Sequence, residues 1–400
     1  MSKLMVGPIK DFALGIFDGP HATPKESEEG PVFLGIKNVT PDGRLDFSQI
    51  RHVSEQEFPK WTRRVTPQAD DIVFSYEATL HRYALIPEDF RGCLGRRMAL
   101  IRPNQEKVHP RYIHYYFLTP QWRALIEANI VSGATVDRIP IRKFPEYEIR
   151  LPERTIQATI ASTLSAYDDL IENNRRRIQL LDEAARLLYK EWFVRLRFPG
   201  HEHVKIKNGV PEGWVQVPLS QMCIDVRQQV YPSKIEPDTP YVGLEHIPRR
   251  SITLQEWGKA SDVESSKFAF NSGDILFGKI RPYFHKVVFA ITDGITSSDA
   301  IVIRPAENWL YEYILFLISS DEFVALASKT VKEGSKMPRA DWKFLSSYPF
   351  LRPPQEIAFA FSDSTRAIIA QLRVLVIQNR KLAKARDLLL PRLMNGEITV

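Results

Sequence analysis

The sequence predicts an α+β chain made of two similar mixed α/β halves, each closing on a long helix. Three observations predict it. Several segments recur in the same order roughly 200 residues apart. Short runs rich in Val, Ile, Phe and Tyr are bounded by turn residues inside each half. Each half then ends in a long apolar stripe spaced at threes and fours.

The recurrence begins with residues 31–39, which resemble residues 239–247 and place Gly35 with Gly243 and Asn38 with His246. Asp70-Asp71-Ile72-Val73-Phe74 resembles Gly273-Asp274-Ile275-Leu276-Phe277. Leu100-Ile101-Arg102-Pro103 resembles Val302-Ile303-Arg304-Pro305. Leu151-Pro152 then opens one helix and Arg352-Pro353-Pro354 opens the other. A period of half the chain means duplication of a domain, since solenoid repeats are far shorter. Residues 71–76 and 286–291 read as strands, and residues 111–129 and 310–327 read as helices.

In the first long stripe Ile156, Ile160, Leu164, Tyr167, Ile171, Ile178, Leu181, Ala185, Leu188 and Trp192 recur with coiled-coil spacing. Asn174 is the polar position on that seam. Pro152 suits a helix start and Pro199-Gly200 a stop. A helix over residues 152–193 spans about 60 Å at 1.5 Å per residue. The plainer alternative is a core helix of an ordinary domain, but a helix of this length wants a partner. Ile368, Leu372, Leu375, Leu382, Leu389 and Leu393 supply one, ending near Pro391 and Gly396. The match of Asn174-Arg175 with Asn379-Arg380 and that of Ala185-Arg186 with Ala385-Arg386 need different offsets. Spacing therefore leaves the pairing register open.

The net charge of +6 permits a polyanionic partner without demanding one. Residues 1–150 carry 21 basic against 19 acidic side chains, and residues 201–352 carry 18 against 18. A nucleic-acid footprint must then come from folded placement of charge rather than from a basic tail. Two cysteines, Cys93 and Cys223, make neither a disulfide framework nor a cysteine-based zinc site. No apolar run is long enough to span a bilayer and the first residues lack a signal-peptide pattern, so a soluble cytoplasmic protein is expected.

Gly273-Asp274-Ile275-Leu276-Phe277-Gly278-Lys279 fits the first seven positions of a phosphate-binding loop, but Ile280 and Arg281-Pro282 follow where Ser or Thr and a helix are required. Methyl transfer to a base would need a glycine-rich cofactor loop and an Asn/Asp-Pro-Pro-aromatic segment. Pro353-Pro354 is flanked instead by Arg352 and Gln355. Pro41-Asp42 and Pro237-Asp238 are not followed by the Glu-x-Lys of a common nuclease core. His201-Glu202-His203 has no third ligand at metal spacing and reads as a solvated linker. No catalytic or metal-ligating residues are assigned.

Leu170-Ile171-Glu172-Asn173-Asn174-Arg175-Arg176-Arg177-Ile178, with Leu187-Leu188-Tyr189-Lys190-Glu191-Trp192-Phe193, resembles the central conserved region of specificity subunits of type I restriction–modification systems. Pro199-Gly200 and Val210-Pro211-Glu212-Gly213-Trp214 are similar to the segment that opens their second recognition domain. Arg386-Asp387-Leu388-Leu389-Leu390-Pro391-Arg392-Leu393-Met394-Asn395-Gly396-Glu397-Ile398 resembles their C-terminal conserved region. The resemblance implies two target-recognition domains, residues 1–150 and 199–352. Conserved helices over residues 151–198 and 353–400 would pack antiparallel as a coiled coil about a pseudo-two-fold axis. It further implies a non-catalytic, sequence-specific DNA-binding subunit that reads a bipartite site, one half-site per domain, the helices setting the gap. Its partners would be double-stranded DNA, two methyltransferase subunits and two restriction subunits. S-adenosylmethionine, ATP and magnesium would belong to those partners and not to this chain. The competing classes are a stand-alone DNA nuclease or methyltransferase with divergent motifs, and a scaffold of two protein-binding domains with no DNA role.

Reading bases requires Arg, Lys, Asn, Gln, Ser or Thr presented to groove edges, and the candidates lie in or beside predicted loops. The candidates in the first half are Asn38, Arg44, His81, Arg82, Arg96, Arg97, Ser132 and Thr135. Those in the second are His246, Arg249, Arg250, Lys279, Arg281, His285, Lys286, Ser297, Ser298, Lys336 and Arg339. His81-Arg82 corresponds to His285-Lys286, and Gly133-Ala134-Thr135 to Gly334-Ser335-Lys336. Tyr76, Tyr83 and Tyr283 stand at strand spacing, where aromatics serve the core more often than DNA. Tyr189, Trp192 and Phe193 are the candidates for docking a methyltransferase subunit. Arg175-Arg176-Arg177 suggests a phosphate site, but it is opposed by Glu172 and, further off, Asp168 and Asp169, so a partner-facing or self-paired helix surface is at least as good a reading.

Overall fold

The computed structural model describes residues 4–132, 136–331 and 336–398. The chain forms two compact units, Met1–Leu170 with Leu382–Val400, and Ile171–Lys381. Each unit thus takes a part of both long helices. Each has its own apolar core.

In the first unit a four-stranded antiparallel sheet runs in the order Ala13–Asp18, Met98–Pro103, Ile72–Ser75, Tyr83–Leu85. Ser27–Leu34 pairs in parallel with Gly92–Leu94 and antiparallel with Arg51–His52. Met5–Pro8 closes on Glu148–Leu151. The second unit repeats this plan. Its four-stranded sheet is Cys223–Asp225, Ala300–Pro305, Ile275–Gly278, Val287–Phe289. Pro240–Val242 pairs in parallel with Gly294–Thr296, and Val215–Pro218 closes on Pro349–Arg352. Ile72 faces Ile101 across one sheet as Ile275 faces Ile303 across the other.

The recurring motifs have a physical reason. Asp71 is buried and receives a guanidinium fork from Arg102, at 2.9 Å from Nε and 2.8 Å from Nη2. Asp274 receives the same fork from Arg304, at 2.7 and 2.8 Å. Each carboxylate also accepts a backbone N–H three residues upstream, from Gln68 and Asn271, both at 2.8 Å. A buried carboxylate needs paired, hydrogen-bonded surroundings, so the Asp of one strand and the Arg of its neighbour recur together.

The helices expected over residues 111–129 and 310–327 are each two helices. Pro110–Phe117 is followed by Pro120–Glu127, and Tyr311–Ile318 by Asp321–Lys329. Pro120 has no N–H to continue the first ladder. Thr119 and Ser320 instead cap the second helix of each pair, accepting from Trp122 N at 3.2 Å and Phe323 N at 3.1 Å.

The first long helix runs Arg154–Tyr189 and leaves through one π-turn, Lys190–Val194. The second runs Gln355–Met394, through Pro391 rather than stopping at it, and Gly396 follows in the left-handed region at φ 72°. In the second unit the helices are antiparallel. Asn174 donates to Asn379 Oδ1 at 3.0 Å, and Asn379 donates to the Ile171 carbonyl at 3.3 Å. Tyr189 and Trp192, further along, pack on Phe361 at ring-centroid distances of 6.2 and 5.6 Å. The pairing register is therefore the one that matches the two asparagines. In the first unit Ile160, Ala161 and Leu164 share a core with Leu390 and Leu393, and Asp168 holds Arg386 at 2.5 Å.

Tyr189, Trp192 and Phe193, expected to dock a partner, are core instead. They are 6%, 8% and 8% exposed and pack among Tyr313, Phe316 and Phe361. The helix must bury its largest apolar groups against its own unit. The large apolar side chains it leaves in solvent include Leu170, Leu180 and Leu187, 51%, 58% and 55% exposed.

Candidate nucleic-acid interface

Three loops meet at one edge of each unit. In the first, a tight turn joins Gly92–Leu94 to Met98–Pro103. Gly95 N donates to the Leu34 carbonyl at 2.7 Å and Met98 N to the Gly95 carbonyl at 3.2 Å, which leaves Arg96 and Arg97 at the tip. The loop of residues 76–82 leaves the neighbouring strand and is tied to that turn by Tyr76 N to Arg97 O, 3.1 Å. It is tied to the Asp137–Arg138 strand by Ala78 N to Asp137 O at 3.1 Å and Ile139 N to Tyr76 O at 2.7 Å.

The second unit repeats every one of these ties. Ser297 N meets the Val242 carbonyl at 3.3 Å and Ala300 N the Ser297 carbonyl at 3.0 Å. Lys279 N meets Asp299 O at 2.9 Å, Arg281 N meets Pro338 O at 2.7 Å, and Ala340 N meets Lys279 O at 2.8 Å. Arg96 thus corresponds to Ser298, Arg138 to Arg339, and the loop of residues 76–82 to that of residues 279–286. Both loops hold two non-glycine residues in the left-handed region: Ala78 and His81 at φ 70° and 60°, Arg281 and His285 at 48° and 55°. Such conformations carry strain and persist where surrounding contacts enforce them, often at functional sites.

The charges at these edges are partly neutralised. Arg97 pairs with Glu77 at 3.0 Å, and Arg339 with Asp299 at 3.3 Å. Arg96 and Arg138 are exposed and make no ion pair among the described residues. Arg249 lies over the Phe284 ring at 4.0 Å and Arg281 approaches it at 5.8 Å. Ser132 is exposed on the short hairpin beside Asp137. Ser297 is half-buried in its turn, and Ser298, Arg281 and Lys336 are exposed. Arg82 and Lys279 are half-buried.

Several candidates are structural. Asn38 is buried, with its Oδ1 accepting from Gly35 N at 3.0 Å and its Nδ2 donating to the Asp46 and Gln49 carbonyls at 3.0 and 3.2 Å. Its repeat partner His246 accepts from Gly243 N at 2.9 Å through Nδ1. That pair recurs because both side chains hold the same turn; Asn38 is buried, while the His246 side chain keeps 21% of its surface in solvent. His285 is buried, with Nε2 2.7 Å from the Ser319 carbonyl, and burial lowers its pKa, so the neutral ring anchors the loop. Lys286 donates to the Leu244 carbonyl, and burial lowers its pKa. Burial and then Arg123 lower the pKa of His81, which favours a neutral ring over a phosphate contact. Arg44 pairs with Asp42 at 2.9 Å within its own turn. Arg250 pairs with Asp321 at 3.0 Å, both ends exposed, an arrangement that costs little to exchange for a phosphate. Thr135 lies outside the described residues.

One residue at these edges is missing from the sequence candidates, and another is set aside there as more often core. Arg138 was findable, because it stands beyond Gly133-Ala134-Thr135 as Arg339 stands beyond Gly334-Ser335-Lys336. Tyr283 was grouped with Tyr76 and Tyr83, yet those two are 5% and 0% exposed and Tyr283 is 54% exposed. Cys93 and Cys223 are buried, with thiols pushed up to about 12 by burial, which removes them as nucleophiles at neutral pH.

Residues 36–183 match the family described as the type I restriction modification DNA specificity domain. Over 98% of its length the chain is 24% identical to the type I restriction enzyme MjaIX specificity subunit of Methanocaldococcus jannaschii, covering 89% of that protein. It is 19% identical to the type I restriction enzyme HindI specificity subunit of Haemophilus influenzae, over 92% of this chain and 94% of that one. The crystal structure of a type I restriction-modification S subunit from M. genitalium aligns with a TM-score of 0.54 at 14% identity. The alignment covers 98% of this chain and 96% of that one, a likeness of fold.

Proposed function

We infer that this chain is a specificity subunit of a type I restriction–modification system, the component that reads DNA while other subunits carry the catalysis. The observation that carries the reading is the doubled loop cluster. Two units of one plan each present an edge of Arg, Ser and Lys side chains on strained, hydrogen-bonded loops. Two recognition edges on one chain suit a bipartite DNA site, because linking them raises the effective concentration of the second contact.

On this reading residues 1–150 and 199–352 are the target-recognition domains. Residues 151–198 and 353–400 are the helical segments that set the gap between half-sites. The chain acts with DNA and with methyltransferase and restriction subunits, two of each in the complete enzyme. S-adenosylmethionine, ATP and magnesium belong to those partners. The site of action is the cytoplasm, where the DNA is. No helix among the described residues is long and apolar enough to cross a membrane.

The deciding experiment is co-expression of the chain with its methyltransferase in a host lacking other methylation, followed by genome-wide mapping of modified bases. The expected result is a single split motif with a constant gap. Methylation or cleavage by the isolated chain would support a stand-alone enzyme instead, and assembly without any sequence preference would support a protein scaffold.

The docking surface follows from burial. Leu180 and Leu187 are seven residues apart, hence on one helix face, and both stand in solvent. Leu180→Asp with Leu187→Asp is expected to abolish co-purification with the methyltransferase while leaving the melting temperature of the chain within a few degrees, because neither side chain is in the core. Retained assembly of that variant would refute the assignment.

A further inference from the structure

The two recognition edges share a frame but differ in what the frame displays. Counting from the shared ties, Thr79 and Leu80 stand between the left-handed residues of the first loop, where Pro282, Tyr283 and Phe284 stand in the second. The second loop is longer by one residue, and its added length carries an aromatic pair.

That pair is divided in role. Phe284 is half-buried beneath the Arg249 guanidinium, and its ring meets that of Tyr283 edge-on at 5.0 Å. Tyr283 is 54% exposed. The loop beneath it is held at many points. Pro282 is buried, Phe284 N and His285 N close turns onto the Arg281 and Pro282 carbonyls at 2.8 Å each, and buried His285 is anchored on Ser319. A backbone held at so many points has already lost much of the freedom that presenting the Tyr283 ring would otherwise cost on binding. Its neighbours Arg249, Arg281 and Arg250 supply the charge that a phosphate backbone would meet on either side.

Resting on the reading of the chain as a DNA-specificity subunit, we propose that Tyr283 is a specificity-determining residue of the second unit, acting as a wedge that stacks against a base step. Protein side chains inserted between base steps unstack them, and the cost depends on the step. The second unit then reads part of its half-site through the deformability of the duplex. The first unit, whose corresponding loop holds only the buried Tyr76 and no exposed aromatic, reads through the hydrogen bonds of side chains such as Arg96 and Arg138.

The test uses the chain assembled with its methyltransferase and duplexes bearing the split motif found by methylation mapping. 2-Aminopurine is placed at successive steps of the half-site that Arg96→Ala leaves unaffected. Fluorescence is expected to rise at one step on binding of the unmodified complex and of Tyr283→Phe. With Tyr283→Ala the rise is expected to vanish and affinity to fall about ten-fold or more, as loss of an aromatic–base stack commonly produces. Methylation preference should relax in that half-site alone. Unchanged affinity and preference in Tyr283→Ala, loss in Tyr283→Phe equal to that in Tyr283→Ala, or equal effects on both half-sites would each overturn the wedge. Absence of any preferred sequence for the unmodified complex would overturn the reading on which it rests.

Discussion

Replacing Arg386 with Met is expected to lower the stability of the first unit by about 2 kcal/mol, less than stranding one member of a fully buried ion pair costs, because the Asp168 side chain left behind is 25% exposed. Arg386 is 7% exposed and reaches Asp168 at 2.5 Å, and the Tyr115 hydroxyl donates to the other oxygen of the same carboxylate at 2.5 Å. Three segments far apart in the chain, the helix Pro110–Phe117 and the two long helices, converge on this carboxylate. Methionine fills much of the arginine volume, so the loss reports the abandoned charge more than a cavity. The double change Asp168→Leu with Arg386→Met removes both charges and is expected to regain most of the loss. Denaturant unfolding of the two variants beside the parent measures this. A single variant within about 0.5 kcal/mol of the parent, the usual scatter of surface changes, would show that the pair is solvated and contributes little.

Replacing Arg96 and Arg138 together with Ala is expected to weaken reading of one half-site about a hundred-fold or more and to leave the other untouched. Each lost bidentate base contact costs about 1–3 kcal/mol, and the two side chains stand on different loops of one edge. Neither is buried or ion-paired among the described residues, so the fold is not at stake. Methylation mapping reads the relaxed positions directly. Titration against salt separates base contacts from phosphate contacts, since loss of a phosphate contact weakens all sequences alike and flattens the salt dependence. Equal weakening at both half-sites would sink the assignment of one unit to one half-site.

Much of this was legible in the sequence because it is local or periodic. The duplicated Asp-Ile and Ile-Arg-Pro motifs announced two like units. The stripes from Ile156 to Trp192 and from Ile368 to Leu393 announced the long helices. Turn chemistry was less legible. Thr119-Pro120 and Ser319-Ser320 cut two expected helices into four, because a cap or a proline outweighs apolar spacing over a single turn. The candidate site divided the same way. Arg96 and Arg339 stand on the loop edges that the repeat marks, while Asn38 and His285, candidates of similar composition, are buried and hold turns, a difference that composition does not carry.

By itself, then, the sequence determined the duplication, the two helices, the mixed α/β character of each half and the family resemblance, since each is written in residue order and spacing. Only the tertiary structure decided which asparagine meets which, that Tyr189, Trp192 and Phe193 are core, and that Glu77, Arg97 and Arg138 lie at one edge. It also decided that Tyr283 points outward while Tyr83 points in. These are contacts between residues distant along the chain, and burial and long-range pairing are set by how strands and helices pack. Periodicity reports which face of an element is apolar and says nothing of what that face will meet.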